Sequence, residues 1–448
     1  MNSFITSRGA LPPLASPEIQ RRCFFQRIFL LLGASRYALG LGCIAVGLSC
    51  ASKPTFNDDA REVVRLAVAL GERDSDSLDS YSGPPEWVSD ARAHPPSLRE
   101  IARAAANLAG RIEVNGEADA DRRRLLIQTA RAVEARANLL LGTRLPFDEE
   151  SRALFGRAPA EPSQLDRNRF DGLRAAANRL LEGSGPLAER YARFERSLIV
   201  PPDRLAAVMS AALEECRRRT LVGMNLQGDG GVKLEYVNNK PWSAYSRYLG
   251  RGRSAISINT DFRFTVDDAL QTACHEAYPG HHVRSLLLDA TFVQGRGWPE
   301  FSVQLLFSPQ SLASEGTAMN AADVAFQVED RVRFERIALY PLAGLSADEA
   351  ERAAQLSKLV GELQDVQGDV ARRYLDGSLE FVRAGTALEE QALIAHPEAT
   401  LKYINQYRSY VTAYTVGRRA VTDFVDSCSG GQKDDTAKRW RCFEQLVT

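Results

Sequence analysis

The feature that most constrains the fold is the string HEAYPGHH at residues 275 to 282, which holds three of the chain's five histidines. The residues before it favour a helix, which Thr265 and Asp268 open with the spacing of a capping box. That helix cannot continue regularly, because proline lacks a backbone N–H and glycine tolerates unusual dihedral angles. We therefore predict a broken or bulged helix at Pro279.

The histidines on either side of this break are candidates for one metal site. In the related H-E-x-x-H helix, two histidines four residues apart bind zinc, and the glutamate between them activates a water. His275 and His281 are six residues apart, which on a straight helix means about 9 Å of rise and different faces. A bulge at Pro279 brings His281 back toward His275. His282 is the alternative ligand, although a step of seven requires more distortion.

A catalytic zinc usually takes three protein ligands and leaves a fourth position for water. The segment SLASEGTAMNAADVAFQVED at 311 to 330 has a helical pattern, and it lies far enough along the chain for a turn and an antiparallel second helix. We predict Glu315 in this segment as the third ligand. The expected cofactor is then Zn²⁺, with Glu276 as the general base.

HEAYPGHH together with the EGTA segment at 315 to 318 resembles the bacterial domain-of-unknown-function family 885, whose HExxPGHH pattern groups it with the gluzincin-type zinc metallopeptidases. The resemblance covers most of the chain from about residue 60 onward, and it implies the same three ligands and the same base. The family commonly reads EGWALY where this chain has EGTAMN, and PGHHLQ where this chain has Val283 and Arg284. Neither difference removes a proposed ligand, but both alter the surroundings on which substrate preference depends.

A further part of the resemblance is a YxxG element that follows a Pro-containing turn. Tyr414 and Gly417 match it, beyond Pro397. The resemblance implies Tyr414 as a catalytic residue that donates a hydrogen bond to the developing oxyanion. Tyr407 and Tyr410 recur with Tyr414 at helical spacing, so any of the three could present its phenol to the site, or all three could pack in a half-buried helix face.

Apolar residues elsewhere recur every three or four positions, which predicts helices separated by Gly- and Pro-containing breaks. These helices are expected at Asp58 to Leu70, Ser97 to Ile112, Asp121 to Leu141, Asp166 to Leu181, Pro201 to Thr220 and along 356 to 374. Val232 to Val237 and 255 to 259 favour paired strands, either as an edge that binds an extended peptide or as a small hairpin without substrate contact. The expected fold class is mainly α, an elongated helical gluzincin-like metallopeptidase with a small β-sheet beside the active-site cleft.

Residues 1–50 have the pattern of an export signal, with arginines before the apolar stretch 37 to 48 and small residues before Cys50. We expect a bacterial cell-envelope protein, periplasmic or attached to the membrane through a lipidated Cys50. The alternatives are an uncleaved anchor and a misassigned start to a cytoplasmic protein. Residues 51–225 are expected to form an N-terminal helical region, and residues 226–448 a catalytic zinc-binding region.

Export also affects the interpretation of the cysteines, because an oxidising compartment permits disulfides. Cys428 and Cys442 lie in a short polar tail that a disulfide would stabilise. Cys274 directly precedes His275 but points away from it on a helix, so we predict a packing role for Cys274.

The formal net charge is −1, so the chain lacks the excess of basic residues that is typical of nucleic-acid-binding proteins. The leading expectation is a zinc metallopeptidase that hydrolyses peptide bonds, and its substrates are expected to be short peptides if helical walls narrow the cleft. The alternatives are a zinc hydrolase of non-peptide amides or esters and a catalytically inactive, lipid-anchored binding protein. Exopeptidase and endopeptidase action both remain open, as does the oligomeric state. Candidates to hold a substrate C-terminus, each with a structural alternative, are Arg247, Arg251, Arg253, Arg408 and Arg418.

Overall fold

The computed structural model describes residues 54–114, 119–432 and 435–447, and it is mainly helical, as predicted. The first helices along the chain are α1 (Phe56–Gly71), α2 (Pro85–Ala93), α3 (Leu98–Val114), α4 (Ala120–Leu140), α5 (Phe147–Phe155), α6 (Gln164–Leu180), α7 (Leu187–Ser197), α8 (Leu205–Gly223), α9 (Val266–Glu276) and α10 (His281–Leu288). The others are α11 (Gln310–Met319), α12 (Ala321–Ala325), α13 (Val328–Phe334), α14 (Tyr340–Ala343), α15 (Ala350–Leu375), α16 (Phe381–Ala392), α17 (Pro397–Tyr407), α18 (Arg418–Cys428) and α19 (Thr436–Val447).

Short irregular helices join several of these elements. Single 3₁₀ turns occur at Ser75–Ser77, Pro299–Ser302, Ala347–Glu349 and Arg408–Tyr410, and π-helical turns at Asp289–Gln294, Glu335–Leu339 and Ala413–Gly417. The last of these carries Tyr414. π-turns displace side chains from regular helical spacing and are frequent at functional sites.

All six predicted helices are present, as α1, α3, α4, α6, α8 and α15. Local signals fix several of their ends. The Thr55 and Thr265 side chains each accept a hydrogen bond from the backbone N–H three residues later. The aspartate at that later position accepts a hydrogen bond from the backbone N–H of the threonine. The predicted capping box of α9 is therefore confirmed. The segment predicted from Pro201 begins later, at Leu205, because residues 201 to 204 form a turn.

Two small sheets accompany the helices. The strands are β1 (Leu78–Tyr81), β2 (Gly231–Val237), β3 (Ala244–Gly250), β4 (Arg253–Asn259) and β5 (Val303–Leu305). β2 pairs with β4 in parallel, which confirms the predicted pairing, and β3 adds to the other side of β4 in antiparallel orientation. β1 pairs with β5, a long-range pair that no local pattern predicted.

The largest apolar core surrounds α9. It joins side chains from α8, β4, α9, α10 and α19, among them Val208, Ile256, Leu270, Val283 and Phe443, which are all nearly fully buried. Burial of a side chain of this size stabilises a fold by roughly 1.5–3 kcal/mol. The core therefore holds α9 and α10, the two helices that carry HEAYPGHH, in fixed positions.

Two disulfides brace the same region. Cys428 and Cys442 are bonded, with 5.9 Å between their Cα atoms, as predicted. We predicted a packing role for Cys274, and that prediction was wrong. Cys274 instead forms a disulfide with Cys216 of α8, with a Cα separation of 5.6 Å. Its orientation away from the histidines was right. The two cysteines are 58 residues apart in the sequence, so their pairing could be recognised only from the packing of α8 against α9.

The contacts unite Lys53–Thr448 into one compact unit, and the predicted boundary at residue 225 stays a prediction. The predicted export segment with Cys50 lies outside the described residues. Among the residues described, no helix has both the length and the apolar character needed to cross a bilayer.

Candidate metal centre

The helix containing HEAYPGHH breaks where predicted. α9 ends at Glu276 and α10 begins at His281, with Pro279 and Gly280 in the connection. A Cβ atom on Gly280 would lie 1.8 Å from the carbonyl oxygen of His275, so only glycine permits this close approach. The tight connection places the first residue of α10 next to the end of α9.

The three predicted ligands converge. The Nε2 atoms of His275 and His281 lie 3.2 Å apart, and they lie 3.5 and 3.6 Å from the carboxylate oxygens of Glu315 on α11. One ligand atom from each residue lies within 4.8 Å of the others. Two imidazole nitrogens and one carboxylate are the ligand types of a catalytic zinc site.

The surroundings also fit a bound cation. Oε2 of Glu315 is buried without a hydrogen-bond partner, which is costly unless something else satisfies it. Burial lowers the pKa of His281 to about 4, so its imidazole is neutral at pH 7 and can coordinate a metal. Burial disfavours ionisation of Glu315, but His281, His275 and a hydrogen bond from Tyr410 outweigh it and lower the pKa of Glu315 to about 2.

Neighbouring polar groups orient the ligands. The Tyr410 hydroxyl donates to Oε1 of Glu315 at 2.7 Å. On the other side, Nδ1 of His281 lies 3.1 Å from Oγ of Ser314, which accepts from the Gln304 amide at 2.9 Å. Such outer contacts fix ring and carboxylate orientation in metal sites. Of the three tyrosines considered from sequence, Tyr410 is therefore the one that touches a ligand.

Tyr410→Phe is expected to weaken zinc binding by about 10- to 100-fold, because the buried Glu315 carboxylate loses the donor that holds it. Competition with a zinc-binding dye measures the affinity. Tyr414→Phe is the matched control, since its hydroxyl contacts Tyr403 at 3.1 Å and not a ligand. Equal loss of affinity in both variants would show that the effect of Tyr410 is not through Glu315.

The alternative ligand, His282, faces away from the triad. Its Nδ1 lies 2.8 Å from Oγ of Ser254 on β4, and its Nε2 lies 3.1 Å from Oδ1 of Asp229. Asp229 also accepts hydrogen bonds from Tyr278 and Arg217. His282 is completely buried in this network, so His281 is the histidine that the fold brings to His275 and Glu315.

A cavity of about 1280 Å³ opens beside the triad. The residues that line it include His275, Glu276, Tyr403 and Tyr414, so the predicted base and the predicted oxyanion donor face the same space as the predicted ligand His275. Oε1 of Glu276 lies 3.9 Å from Nε2 of His275. Burial is the main cause that raises the pKa of Glu276 to about 7, with His275 opposing the rise and Glu315 adding to it.

One acidic neighbour of the triad escaped sequence reasoning. Asp79 lies at an irregularity in β1, where Leu78 pairs with Leu305 and Ser80 with Gln304. Burial, and the nearby charges of Glu315 and Glu276, raise the pKa of Asp79 to about 8. Asp79 precedes HEAYPGHH by almost two hundred residues, and no local sequence pattern indicates that it lies near Glu315 and Glu276.

No family model and no curated protein matches the chain. Among solved structures, a putative lipoprotein from Colwellia psychrerythraea is similar to it, with 14% identity and a TM-score of 0.48 over 88% of this chain and 76% of the other. A putative lipoprotein of unknown function from Shewanella oneidensis aligns with 12% identity and a TM-score of 0.41 over 89% of this chain and 79% of the other. These likenesses are too distant to establish a shared family or function.

Proposed function

We propose that the chain is a zinc-dependent metallopeptidase of the bacterial cell envelope. The convergence of His275, His281 and Glu315 carries this proposal, because their nitrogen and oxygen atoms meet at metal-binding distances and Glu276 lines the adjoining cavity. The resemblance of HEAYPGHH and the EGTA segment to the HExxPGHH family supports the same conclusion, with the gluzincin-like roles assigned above.

The donor set determines what each residue does. A zinc ion held there supplies Lewis-acid chemistry, polarising the substrate carbonyl and lowering the pKa of the attacking water. Glu276 accepts the proton of that water and delivers it to the amine that leaves when the peptide C–N bond breaks. Tyr414 donates a hydrogen bond to the carbonyl oxygen as negative charge develops there, and Tyr403, 3.1 Å away, orients the Tyr414 hydroxyl.

Two features favour a peptide over other amides or esters. The cavity of about 1280 Å³ has room for several residues of substrate. β3 is an edge strand of its sheet, and its first residue, Ala244, lines the cavity with Trp242. A strand edge provides backbone hydrogen bonds to an extended peptide.

Digestion of a mixed peptide library by the zinc-loaded protein tests the proposal. We expect new fragments in mass spectra, their loss after chelation, and their return on addition of zinc, because the ligands bind the metal reversibly. The fragment masses also distinguish exopeptidase from endopeptidase cleavage. Intact peptides alongside hydrolysed model esters would favour the non-peptide hydrolase, and no hydrolysis of either would favour the binding protein.

The proposed cell-envelope location rests on the export pattern of residues 1–50 and is supported by the two disulfides, which persist in oxidising compartments. We expect the full chain to incorporate labelled palmitate when it is produced in a bacterium. Cys50→Ser should remove the label. Equal labelling of the two proteins would contradict attachment through Cys50.

A further inference from the structure

Asp229, in the loop between α8 and β2, collects hydrogen bonds from several parts of the fold. Its side chain is only 4% exposed. The donors are the Arg217 guanidinium at 2.9 Å, the Gly231 N–H at 2.9 Å, the Tyr278 hydroxyl at 3.0 Å and Nε2 of His282 at 3.1 Å. Burial opposes ionisation of Asp229, but these four hydrogen bonds outweigh it and hold the pKa of Asp229 well below its usual range. A carboxylate has about four acceptor positions, so Asp229 is fully engaged by the protein itself.

Two of these donors belong to the break in HEAYPGHH. Tyr278 lies in the connection between α9 and α10, and His282 is the second residue of α10, directly after the proposed ligand His281. Both side chains are almost completely buried, and their rings meet edge to face with 4.9 Å between centroids. The Asp229 carboxylate therefore holds the connection and the start of α10 together.

Two adjacent residues of α8 hold the two helix ends that carry the histidines. Cys216 is bonded to Cys274, which immediately precedes His275. Arg217, the next residue of α8, donates two hydrogen bonds to Oδ2 of Asp229, at 2.9 and 3.1 Å. The end of α9 and the start of α10 are therefore fixed to neighbouring points of α8, the first by a covalent bond and the second through Asp229.

Asp229 does not touch the proposed ligands. Across the described part of the chain, no hydrogen bond or ion pair joins it to His275, His281 or Glu315, and its partners are the four donors named above. An effect of Asp229 on the metal centre must therefore pass through the position of the backbone at the break. That position matters, because zinc binds nitrogen and oxygen ligands at about 2.0–2.2 Å and a small displacement of one imidazole breaks the set.

We propose that Asp229 is a positioning residue of the metal centre, which sets the approach of His281 to His275 by holding Tyr278 and His282 at the break. This inference rests on the proposed metal site. It gives the second histidine of the HH pair a function of its own, which is to anchor α10 while His281 coordinates. Buried polar networks in which every member is satisfied fix one arrangement of the surrounding backbone, and this network has that property.

Asp229→Asn tests the proposal by metal binding. Asparagine has nearly the same size, but it has no negative charge, and its NH₂ group faces donors that need an acceptor. We expect the dissociation constant for zinc, measured by dye competition, to rise about tenfold, the lower end of the effect of losing an outer contact. Co²⁺ takes the same kinds of ligand as Zn²⁺, and its visible absorption reports the arrangement of those ligands. The absorption band of bound Co²⁺ should therefore shift in Asp229→Asn.

Glu300→Gln is the matched control for a purely structural effect. Glu300 is a buried carboxylate that pairs with Arg122 and contacts neither the break nor the proposed ligands. Loss of this buried ion pair should lower the unfolding temperature of the metal-free protein, but it should leave the zinc affinity and the Co²⁺ band unchanged. Equal changes of affinity and band in the two variants would overturn the proposal, as would wild-type values of both in Asp229→Asn.

Two substitutions of His282 test the same idea if Asp229→Asn does not fold. His282→Gln keeps an N–H donor close to the position of Nε2, so it can still bind Asp229, whereas His282→Leu cannot. We expect the zinc affinity of His282→Gln to stay within a few-fold of the wild type and that of His282→Leu to fall about tenfold. Equal affinities of the two variants would contradict an anchoring role through Asp229.

The binding measurements keep this inference separate from the peptidase proposal, because neither affinity nor absorption depends on hydrolysis. If the zinc-loaded wild type hydrolyses nothing, but Asp229→Asn binds zinc more weakly and shifts the Co²⁺ band, the positioning role stands and the peptidase proposal fails. If the wild type hydrolyses peptides and Asp229→Asn binds both metals as the wild type does, the peptidase proposal stands and the positioning role fails.

Discussion

Glu276→Gln is expected to keep its zinc and to lose about 10²- to 10⁴-fold in kcat, the range associated with loss of a general base. Glutamine has nearly the same shape as glutamate, but its amide cannot accept the proton of the attacking water. Glu276 is not one of the three converging ligands, so the metal should remain. Initial rates on a peptide cleaved in the library digest, with zinc content measured on the same preparation, check both parts.

Glu195→Gln is the matched control for that experiment. Glu195 lines the same cavity, and the charged groups that act on it are Asp268 and Arg196, not the triad. We expect its rate to stay within a few-fold of the wild type. Full activity in Glu276→Gln would rule out this residue as the base, and loss of zinc from it would mean that it is a ligand.

His275→Ala is expected to reduce bound zinc from one equivalent to almost none after dialysis against a weak chelator. Two donors remain from a three-donor set, so the loss of affinity should exceed the roughly 10- to 100-fold that accompanies loss of an outer contact. Elemental analysis of the dialysed protein measures the metal. Hydrolysis should disappear with it, because the carbonyl and the water are no longer activated.

The control for metal loss is His396→Ala. His396 also lines the cavity but does not belong to the converging set, so this variant should retain one equivalent of zinc. Full zinc occupancy in His275→Ala would eliminate the proposed ligand set. Equal loss of zinc from both variants would point to damage of the fold instead of loss of a ligand.

The features that could be predicted from sequence are those with local causes. The Thr265 cap, the break at Pro279 and the helix carrying Glu315 each follow from a few neighbouring residues. The choice of His281 over His282 followed from helix geometry, because the shorter step needs less distortion. The distances between the three predicted ligands could not be predicted in the same way, because they depend on how α9, α10 and α11 pack together.

The features that were missed depend on contacts between distant segments. The Cys216–Cys274 bond requires α8 to pack beside α9. The place of Asp79 requires β1 to pair with β5, far along the chain. Hydrophobic periodicity contains none of this information.

The Cys216–Cys274 bond also has a practical consequence for the preparation of the protein. Cys274 immediately precedes His275, so this crosslink ties the end of α9 that carries the proposed ligand His275 to α8. Protein made in a reducing cytosol would lack that tie and would hold the histidine through noncovalent contacts alone. Zinc titrations are therefore best performed on material secreted through an oxidising route, with the thiol count verified first.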